Sequence, residues 1–174
     1  SYLNALKSDP VSAYGGILAV NYKISEKIAK EINKNFYEVV IADSINNQAL
    51  KILKQKKNLR ILKSNKFRLK SSENIKFFDG KFMIQSKDNI VLDKKKIKFA
   101  TKKKIKKKDM AEAEFAFNVC RFVKSNSIII TNKFSTIGIG SGQPSRLDSC
   151  KIAVAKAKKF NKNKIKGSVA ASDA

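Results

Sequence analysis

The 174-residue sequence contains no histidine. Histidine is the commonest general base of enzymes and a frequent zinc ligand, so its absence disfavours Ser-His-Asp hydrolases, Cys-His proteases and most zinc enzymes. Proline is scarce as well, with two residues, whereas 43% of the residues are hydrophobic. Disordered chains have a different balance, so we expect a folded protein of about one domain.

Cysteine and long apolar runs are also lacking. Cys120 and Cys150 are too few for a disulfide framework and do not have C-x-x-C spacing, so we expect two free thiols in a reducing, cytoplasmic compartment. No run approaches the roughly 20 apolar residues of a membrane span, and the first ten residues lack an apolar signal core. No membrane association is expected.

Acidic residues are few, with 14 Asp and Glu against 38 Lys and Arg, and the formal net charge is +24. Such a charge attracts nucleic acid or anionic membranes. However, only four basic residues are arginines, which supply most bidentate contacts to bases and phosphates. Lysine, asparagine and isoleucine share AT-rich codons, so we attribute much of the charge to codon bias. A lysine-rich nucleic-acid-binding module remains the alternative function, and a nucleic-acid partner is disfavoured.

Residues 1–63 alternate short apolar runs with amphipathic segments. Ser25 and Ser44 stand where helix N-caps are expected. The first apolar run follows two glycines and is predicted to be a buried strand. The predicted strands are 15–22, 37–42 and 59–63, and the predicted helices are 25–36 and 44–57. This alternation predicts α/β layers with parallel strand pairing.

Residues 64–108 form a variable, lysine-rich segment. Asp79-Gly80 predicts a hairpin turn between two apolar runs. Ten lysines then lie between Asp93 and Asp109, around a possible edge strand at residues 97–101. These lysines suit either a phosphate-binding tail or a solvated edge strand and loop, and the second interpretation is favoured.

Residues 109–174 predict a helix, a hairpin, a glycine-rich turn, a helix and a final strand. The first helix, 110–125, is mostly apolar and is expected to be largely buried. A strand follows from about Ser127, so Asn126 stands at the junction between helix and strand. The second helix, 145–160, is predicted to face inward through Leu147, Cys150, Ala153, Val154 and Ala157.

The stretch TIGIGSGQPSRLDSC, residues 136–150, raises the question of a nucleotide site. Its G-x-G-x-G spacing is neither the Rossmann G-x-G-x-x-G nor a Walker A loop, so both readings are disfavoured. Its glycines could simply let the chain turn from strand into helix. Alternatively, Ser145 and Arg146 could form an anion site at the helix N-terminus. The residues alone leave both possibilities open.

Four blocks of the sequence resemble one family in the same order along the chain. They are SDPVSAYGGILAVN, YEVVIADSINNQALKILKQKKNLRIL, KSNSIII…TIGIGSGQPSRLDS and GSVAASDA. The family is the formyltransferase half of the bifunctional AICAR transformylase/IMP cyclohydrolase proteins. Residues 63–108 match it loosely. Pro144 departs from the Met or Gln usual in the family, and proline suits the first turn of a helix.

The resemblance implies a fold and a reaction. The fold would be an α/β three-layer mixed sheet with flanking helices, similar to the cytidine-deaminase-like fold but without its zinc. The reaction would transfer a formyl group from the co-substrate 10-formyltetrahydrofolate to AICAR during purine (IMP) biosynthesis. AICAR and folate are then the small-molecule partners, and a homodimer with its site at the interface is expected.

The resemblance also implies roles for individual residues. Asn126 would be catalytic and would bind substrate, donating its amide to the developing oxyanion. Asp9 and Arg146 would bind AICAR, and Leu147 would contact the folate. Ser125, Ser127 and Asp173 would hold a potassium ion. Without the resemblance, Asp9-Pro10 would be a turn opening, Asn126 a junction cap and Asp173 a turn residue.

The family's Lys-His pair, its Phe-Phe-Pro-Phe segment and its cyclohydrolase domain have no counterpart in these residues. We therefore interpret residues 1–174 as a partial transformylase domain and expect no formyltransferase activity from this stretch alone. A fragment, an expression product and a truncated gene product are equally compatible with the sequence.

Overall fold

The computed structural model describes residues 1–64, 73–87, 92 and 94–173. Its helices and strands are α1 (Tyr2–Leu6), β1 (Gly16–Ile24), α2 (Glu26–Asn33), β2 (Tyr37–Ile45), α3 (Asn47–Leu53), β3 (Arg60–Lys63), β4 (Glu73–Phe78), β5 (Lys81–Ser86), α4 (Met110–Cys120), β6 (Ile128–Thr131), β7 (Thr136–Gly140), α5 (Arg146–Asn161) and β8 (Val169–Ser172). Short 3₁₀ turns occur at Lys94–Lys96, Lys107–Asp109 and Lys162–Lys164.

The first sheet is parallel and has the order β1-β2-β3. Short helices make the crossovers, as the alternating pattern of residues 1–63 predicts. The core lies around the central strand β2 and includes Ile24, Ile32, Val40, Ala42 and Leu53. Strand β1 is at the sheet edge and alternates half-buried and exposed positions, so the prediction of a buried first strand was wrong.

The second predicted helix begins later than expected. Strand β2 continues through Ser44, which pairs with Lys23, to Ile45. Asn46 is the N-cap, and its Oδ1 accepts hydrogen bonds from the backbone N–H groups of Gln48 (2.7 Å) and Ala49 (3.3 Å). The prediction of a Ser44 cap was wrong because pairing with β1 extends the strand by three residues beyond the predicted end.

The predicted hairpin in the variable segment is confirmed. Strands β4 and β5 pair in antiparallel register around Asp79 (φ 46°) and Gly80 (φ 71°), as two-residue hairpin turns require. Residues 97–101 belong to no strand, so the predicted edge strand was wrong; within the described ranges, β4 and β5 pair only with each other. Parts of this segment, 65–72, 88–91 and 93, lie outside the described residues.

The last sheet is antiparallel and has the order β7-β6-β8. Helix α4 packs against β6 and β8, and helix α5 packs against β7. The protein is therefore an α/β fold with parallel and antiparallel sheets and flanking helices. The described strands divide among three sheets, with parallel and antiparallel pairing in different sheets, where one mixed sheet was expected.

Helix α4 ends at Cys120, five residues before the predicted end, and its fully buried residues are Ala116 and Cys120. Most of its remaining residues are half-buried, so the helix is less buried than its apolar composition predicts. The chain from Arg121 onward turns towards β6 and forms the loop that carries Asn126.

The backbone of helix α5 packs directly against the backbone of β7 at Gly138 and Gly140. A Cβ atom added to Gly138 would lie 2.1 Å from the Ala153 carbonyl oxygen, and one added to Gly140 would lie 1.9 Å from that of Ser149. The buried face of α5 is accordingly Ser149, Ala153, Ala157 and Asn161. The predicted inward positions Leu147 and Cys150 are exposed, because the glycines admit the small-residue face of the helix instead.

Replacing Gly140 with alanine should be more destabilising than an equivalent change in the turn that follows. Gly140→Ala forces the α5 backbone away from β7, and we expect it to lower the free energy of unfolding by about 3 kcal/mol. Gly142→Ala meets only the flexible Lys124 side chain at 3.7 Å and an unfavourable φ of +66°, which should cost about 1 kcal/mol. Urea denaturation of both variants tests this, and equal losses would contradict it.

Candidate functional site

The loop after α4 and the loop before α5 are joined by backbone hydrogen bonds. The Gly142 N–H donates to the Lys124 carbonyl (2.7 Å), and the Asn126 N–H donates to the Gln143 carbonyl (3.3 Å). The positive φ of Gly142 lets the chain turn back towards Lys124. The peptide bond between Ser125 and Asn126 is cis. These contacts place Asn126 beside the first turn of α5.

The Asn126 amide is fully engaged within the protein. Its Nδ2 donates to the carbonyls of Gln143 and Pro144, both at 3.0 Å. Its Oδ1 accepts a hydrogen bond from Arg146 Nη2 at 2.9 Å. An amide group has two N–H donors, so neither is left for a ligand in this arrangement. Asn126 thus holds the loop before α5 and the Arg146 side chain.

Arg146 is the first residue of α5. Hydrogen bonds from Nε and Nη2 hold one edge of its guanidinium. Besides the bond to Asn126, Nε donates to Ser172 Oγ (2.9 Å) and Nη2 donates to Asp173 Oδ1 (3.3 Å). Among the described residues, Nη1 has no hydrogen-bond partner. The side chain is 42% exposed, so Nη1 can reach a ligand oxygen.

Asp173 follows β8 and lies between Arg146 and the start of β6. It accepts hydrogen bonds from the Ser125 hydroxyl and, at 3.1 Å, from the Ser127 N–H. These bonds, with that from Arg146, lower the pKa of Asp173 to about 2. The carboxylate is therefore ionised at neutral pH and forms an ion pair with Arg146.

The set expected to hold potassium, Ser125, Ser127 and Asp173, is brought together. However, Asp173 Oδ1 already accepts two N–H groups, and the Arg146 cation lies beside it. The Ser127 hydroxyl is buried and lies 3.2 Å from Cys120 Sγ. Potassium prefers free oxygen ligands and is repelled by a neighbouring cation. These side chains therefore fit potassium poorly as arranged.

Leu147 lies next to Arg146 on the outer surface of α5, with 62% of its surface exposed. Its backbone N–H donates to Ser145 Oγ at 3.1 Å, the N-cap hydrogen bond of the helix. The exposed side chain of Leu147 is therefore what a ligand at this surface would meet. Ser145 caps α5 as the sequence predicts.

Asp9 is not part of this cluster. Its carboxylate accepts hydrogen bonds from the Ser12 N–H (3.0 Å), the Ser12 hydroxyl (2.8 Å) and Lys156 Nζ (2.6 Å). Burial would raise the pKa of Asp9, but these hydrogen bonds outweigh burial and lower it to about 2. Lys156 lies ten residues beyond Arg146 in α5, or about 15 Å along the helix axis. Asp9 thus connects the loop between α1 and β1 to the middle of α5.

Two serines of the cluster were not predicted from the sequence. Ser172 accepts the Nε hydrogen bond of Arg146, and Ser149 Oγ donates to the Asn126 carbonyl at 2.6 Å. Ser149 lies four residues after the N-cap Ser145, and helix positions i and i+4 share a face. This spacing could have predicted that Ser149 lies on the same side of α5 as the site. Ser172 is identified only by its place in β8.

The described ranges contain no group of three or more His, Cys, Asp and Glu side chains placed to hold a metal ion. No helix in the part of the chain that the structure describes is both long and apolar enough to cross a bilayer.

Removing the charge of Asp9 should lower stability only where this carboxyl is ionised. Its folded-state pKa of about 2 is below the ordinary value of 3.8, so its contribution is present above about pH 4 and is lost as the pH falls through about 2. We expect Asp9→Asn to lower the free energy of unfolding by about 1 kcal/mol at neutral pH, after allowance for solvent screening. The loss should fall to a small fraction of its neutral-pH value near pH 2.

Urea denaturation at the two pH values measures this difference. The matched control is Glu26→Gln, which breaks an exposed pair with Lys30 (2.7 Å) and should cost less than about 0.5 kcal/mol. A loss for Asp9→Asn that is the same at both pH values would contradict the role of the ion pair.

Comparison with known proteins gives one consistent result. The family described as AICARFT/IMPCHase bienzyme matches residues 1–156. The bifunctional purine biosynthesis protein PurH of Thermoanaerobacter sp. (strain X514) is 42% identical over 174 residues, and that of Aquifex aeolicus (strain VF5) is 39% identical over 174 residues. Each alignment covers 100% of this chain and 33% of the relative. The PurH protein of Bartonella tribocorum is 41% identical over 182 residues, covering 100% of this chain and 34% of the relative.

The chain thus spans about a third of the length of these relatives. The family match includes Asn126, Arg146 and Leu147 and most of the described fold, whereas Ser172 and Asp173 lie beyond its last residue. The chain belongs to the AICARFT/IMPCHase bienzyme family.

Proposed function

We propose that this chain forms part of a folate-dependent formyltransferase site, which converts AICAR and 10-formyltetrahydrofolate to formyl-AICAR and tetrahydrofolate. The observation that carries the proposal is the clustering of Asn126, Arg146 and Leu147. They are up to 21 residues apart in sequence, yet they meet at the first turn of α5. The family resemblance assigns these same residues to one substrate site.

The chemistry sets what such a site must supply. The exocyclic amine of AICAR is a weak nucleophile, so the reaction needs a base and donors for the oxygen of the tetrahedral intermediate. These 174 residues contain no histidine, and the Asn126 amide is engaged with backbone carbonyls. We infer that Arg146 Nη1 binds and orients a substrate oxygen, that Leu147 borders the folate, and that the base comes from outside these residues.

Arg146→Ala should weaken AICAR binding in the protein that carries this domain. We expect the KM for AICAR to rise about tenfold or more, the loss of a charge-assisted hydrogen bond of about 1.5–3 kcal/mol. Steady-state formyl transfer at saturating folate measures this. Arg60→Ala, at an exposed position of β3, is the matched control and should leave KM unchanged. A wild-type protein without formyl transfer, or equal KM values in both variants, would contradict the proposal.

We also propose that the site lies between two copies of the chain. Within one copy, Asp9 contacts α5 at Lys156, about 15 Å along the helix from Arg146. We therefore infer that one small substrate is not shared by both residues of the same copy. A two-fold symmetric dimer can instead bring Asp9 of one copy towards Arg146 of the other. This supports the homodimer that the resemblance implies.

Mixing impaired variants tests the shared site. When Asp9→Ala and Arg146→Ala copies are unfolded together and reassembled in equal amounts, half of the dimers are mixed, and each mixed dimer has one intact site. At an AICAR concentration at which each variant alone has little activity, we expect about a quarter of the wild-type activity to return. The single variants, treated in the same way, are the controls and should keep their low activity. No recovery in a mixture that forms mixed dimers would show that both residues act from the same copy.

Two further expectations from the sequence, the fold family and the cellular compartment, belong to this proposal. We infer that the β6–β7 hairpin with β8 and α5 belongs to a cytidine-deaminase-like fold, and that the protein works in the cytoplasm. The comparisons offer no support for the alternative lysine-rich nucleic-acid-binding module, and we do not propose it.

A further inference from the structure

We propose that Asp173 is a positioning residue that fixes the guanidinium of Arg146, so that Nη1 alone faces the ligand. This inference rests on the proposed function, because it assigns Arg146 to the substrate. It gives Asp173 a role in orienting an arginine, in place of the potassium-ligand role that the resemblance implies.

The contacts of Arg146 explain why an anchor is needed. An arginine side chain loses much rotamer entropy when it is ordered, and Arg146 lies at a partly exposed helix N-terminus. The helix dipole disfavours a cation in this first turn. Two of its three partners, Asn126 Oδ1 and Ser172 Oγ, are neutral. Asp173 is the one charged partner of Arg146 within the described residues.

Asp173 can act as an anchor because it is itself held in place. The Ser127 N–H donates to Oδ1, and the Ser125 hydroxyl donates to the same carboxylate. Ser127 is fully buried and directly precedes β6, the central strand of its sheet. The chain of contacts therefore runs from the buried end of β6 through Asp173 to the guanidinium.

The consequence for a ligand is specific. Nε and Nη2 are used by Ser172, Asn126 and Asp173, so the substrate meets the two N–H bonds of Nη1 and not a bidentate fork. The neighbouring carboxylate also offsets the arginine charge. A neutral carbonyl oxygen suits such a donor better than a phosphate dianion, which favours a full, unpaired positive charge.

Asp173→Asn tests the role because it keeps the shape of the side chain but removes its charge. We expect the KM for AICAR to rise about tenfold while kcat changes much less. The control is Asp148→Asn, which removes an exposed carboxylate from the first turn of α5, the turn that carries Arg146. Asp148 lies 3.4 Å from Lys151, and its replacement should leave both KM and kcat unchanged. Equal effects of the two substitutions would overturn the proposal.

A double-mutant cycle separates positioning from general structural damage. If Asp173 acts through Arg146, then Asp173→Asn should have no further effect on KM in an Arg146→Ala background. An undiminished tenfold effect in that background would show that Asp173 acts by another route and would overturn the proposal.

Arginine side-chain NMR gives a readout that does not depend on activity. The Nε–H signal of Arg146 can be assigned by its loss in Arg146→Lys. We expect this signal to move and to show faster side-chain motion in Asp173→Asn but not in Asp148→Asn. An unchanged signal overturns the proposal. A changed signal in a protein without formyl transfer keeps the positioning role and rejects the proposed function.

Discussion

The contact between the backbones of β7 and α5 determines where the candidate site can form. Gly138 and Gly140 remove the side chains that would otherwise separate strand and helix, and Ser149 and Ala153 face them from the helix. The short separation sets the position of the first turn of α5. From that turn, the Ser149 hydroxyl reaches the Asn126 carbonyl, and Arg146 reaches the Asn126 side chain. A longer strand–helix distance would break both hydrogen bonds together.

A second constraint comes from the N-terminal turn, which touches both halves of the fold. Tyr2 is buried, and its hydroxyl lies 3.0 Å from the Tyr37 hydroxyl at the start of β2. A few residues later, Ser8 bonds to Thr136 of β7 (2.9 Å), and the Lys7 carbonyl accepts from Asn161 of α5 (2.8 Å). The Asp9–Lys156 pair continues this line of contacts. The position of Asp9 is thus set by the contacts that link the β1-β2-β3 sheet to the β7-β6-β8 sheet and α5, and not by the Asn126–Arg146 cluster.

The sequence predicted those features that local rules decide. Asp79-Gly80 requires a tight turn, and Ser145 is a strong N-cap, so the hairpin and the start of α5 were both predictable. The cap of α3 was not, because Ser44 and Asn46 are both good caps and only pairing with β1 selects the second. The inward face of α5 was predicted correctly at Ala153 and Ala157, but wrongly at Leu147 and Cys150, for a related reason. Leucine is more hydrophobic than serine, but the glycines of β7 admit only a small side chain at Ser149.

The candidate site shows the same division between residue identity and contact geometry. Family resemblance assigned Asn126 and Arg146 to one substrate site, but it could not say which of their donors are already used. The Asn126 amide has both N–H bonds on backbone carbonyls, and Arg146 has one edge on Asn126, Ser172 and Asp173. The donors left for a ligand are those of Nη1. A ligand oxygen at Arg146 is therefore met by one nitrogen, whose direction is set by residues that need not touch the ligand.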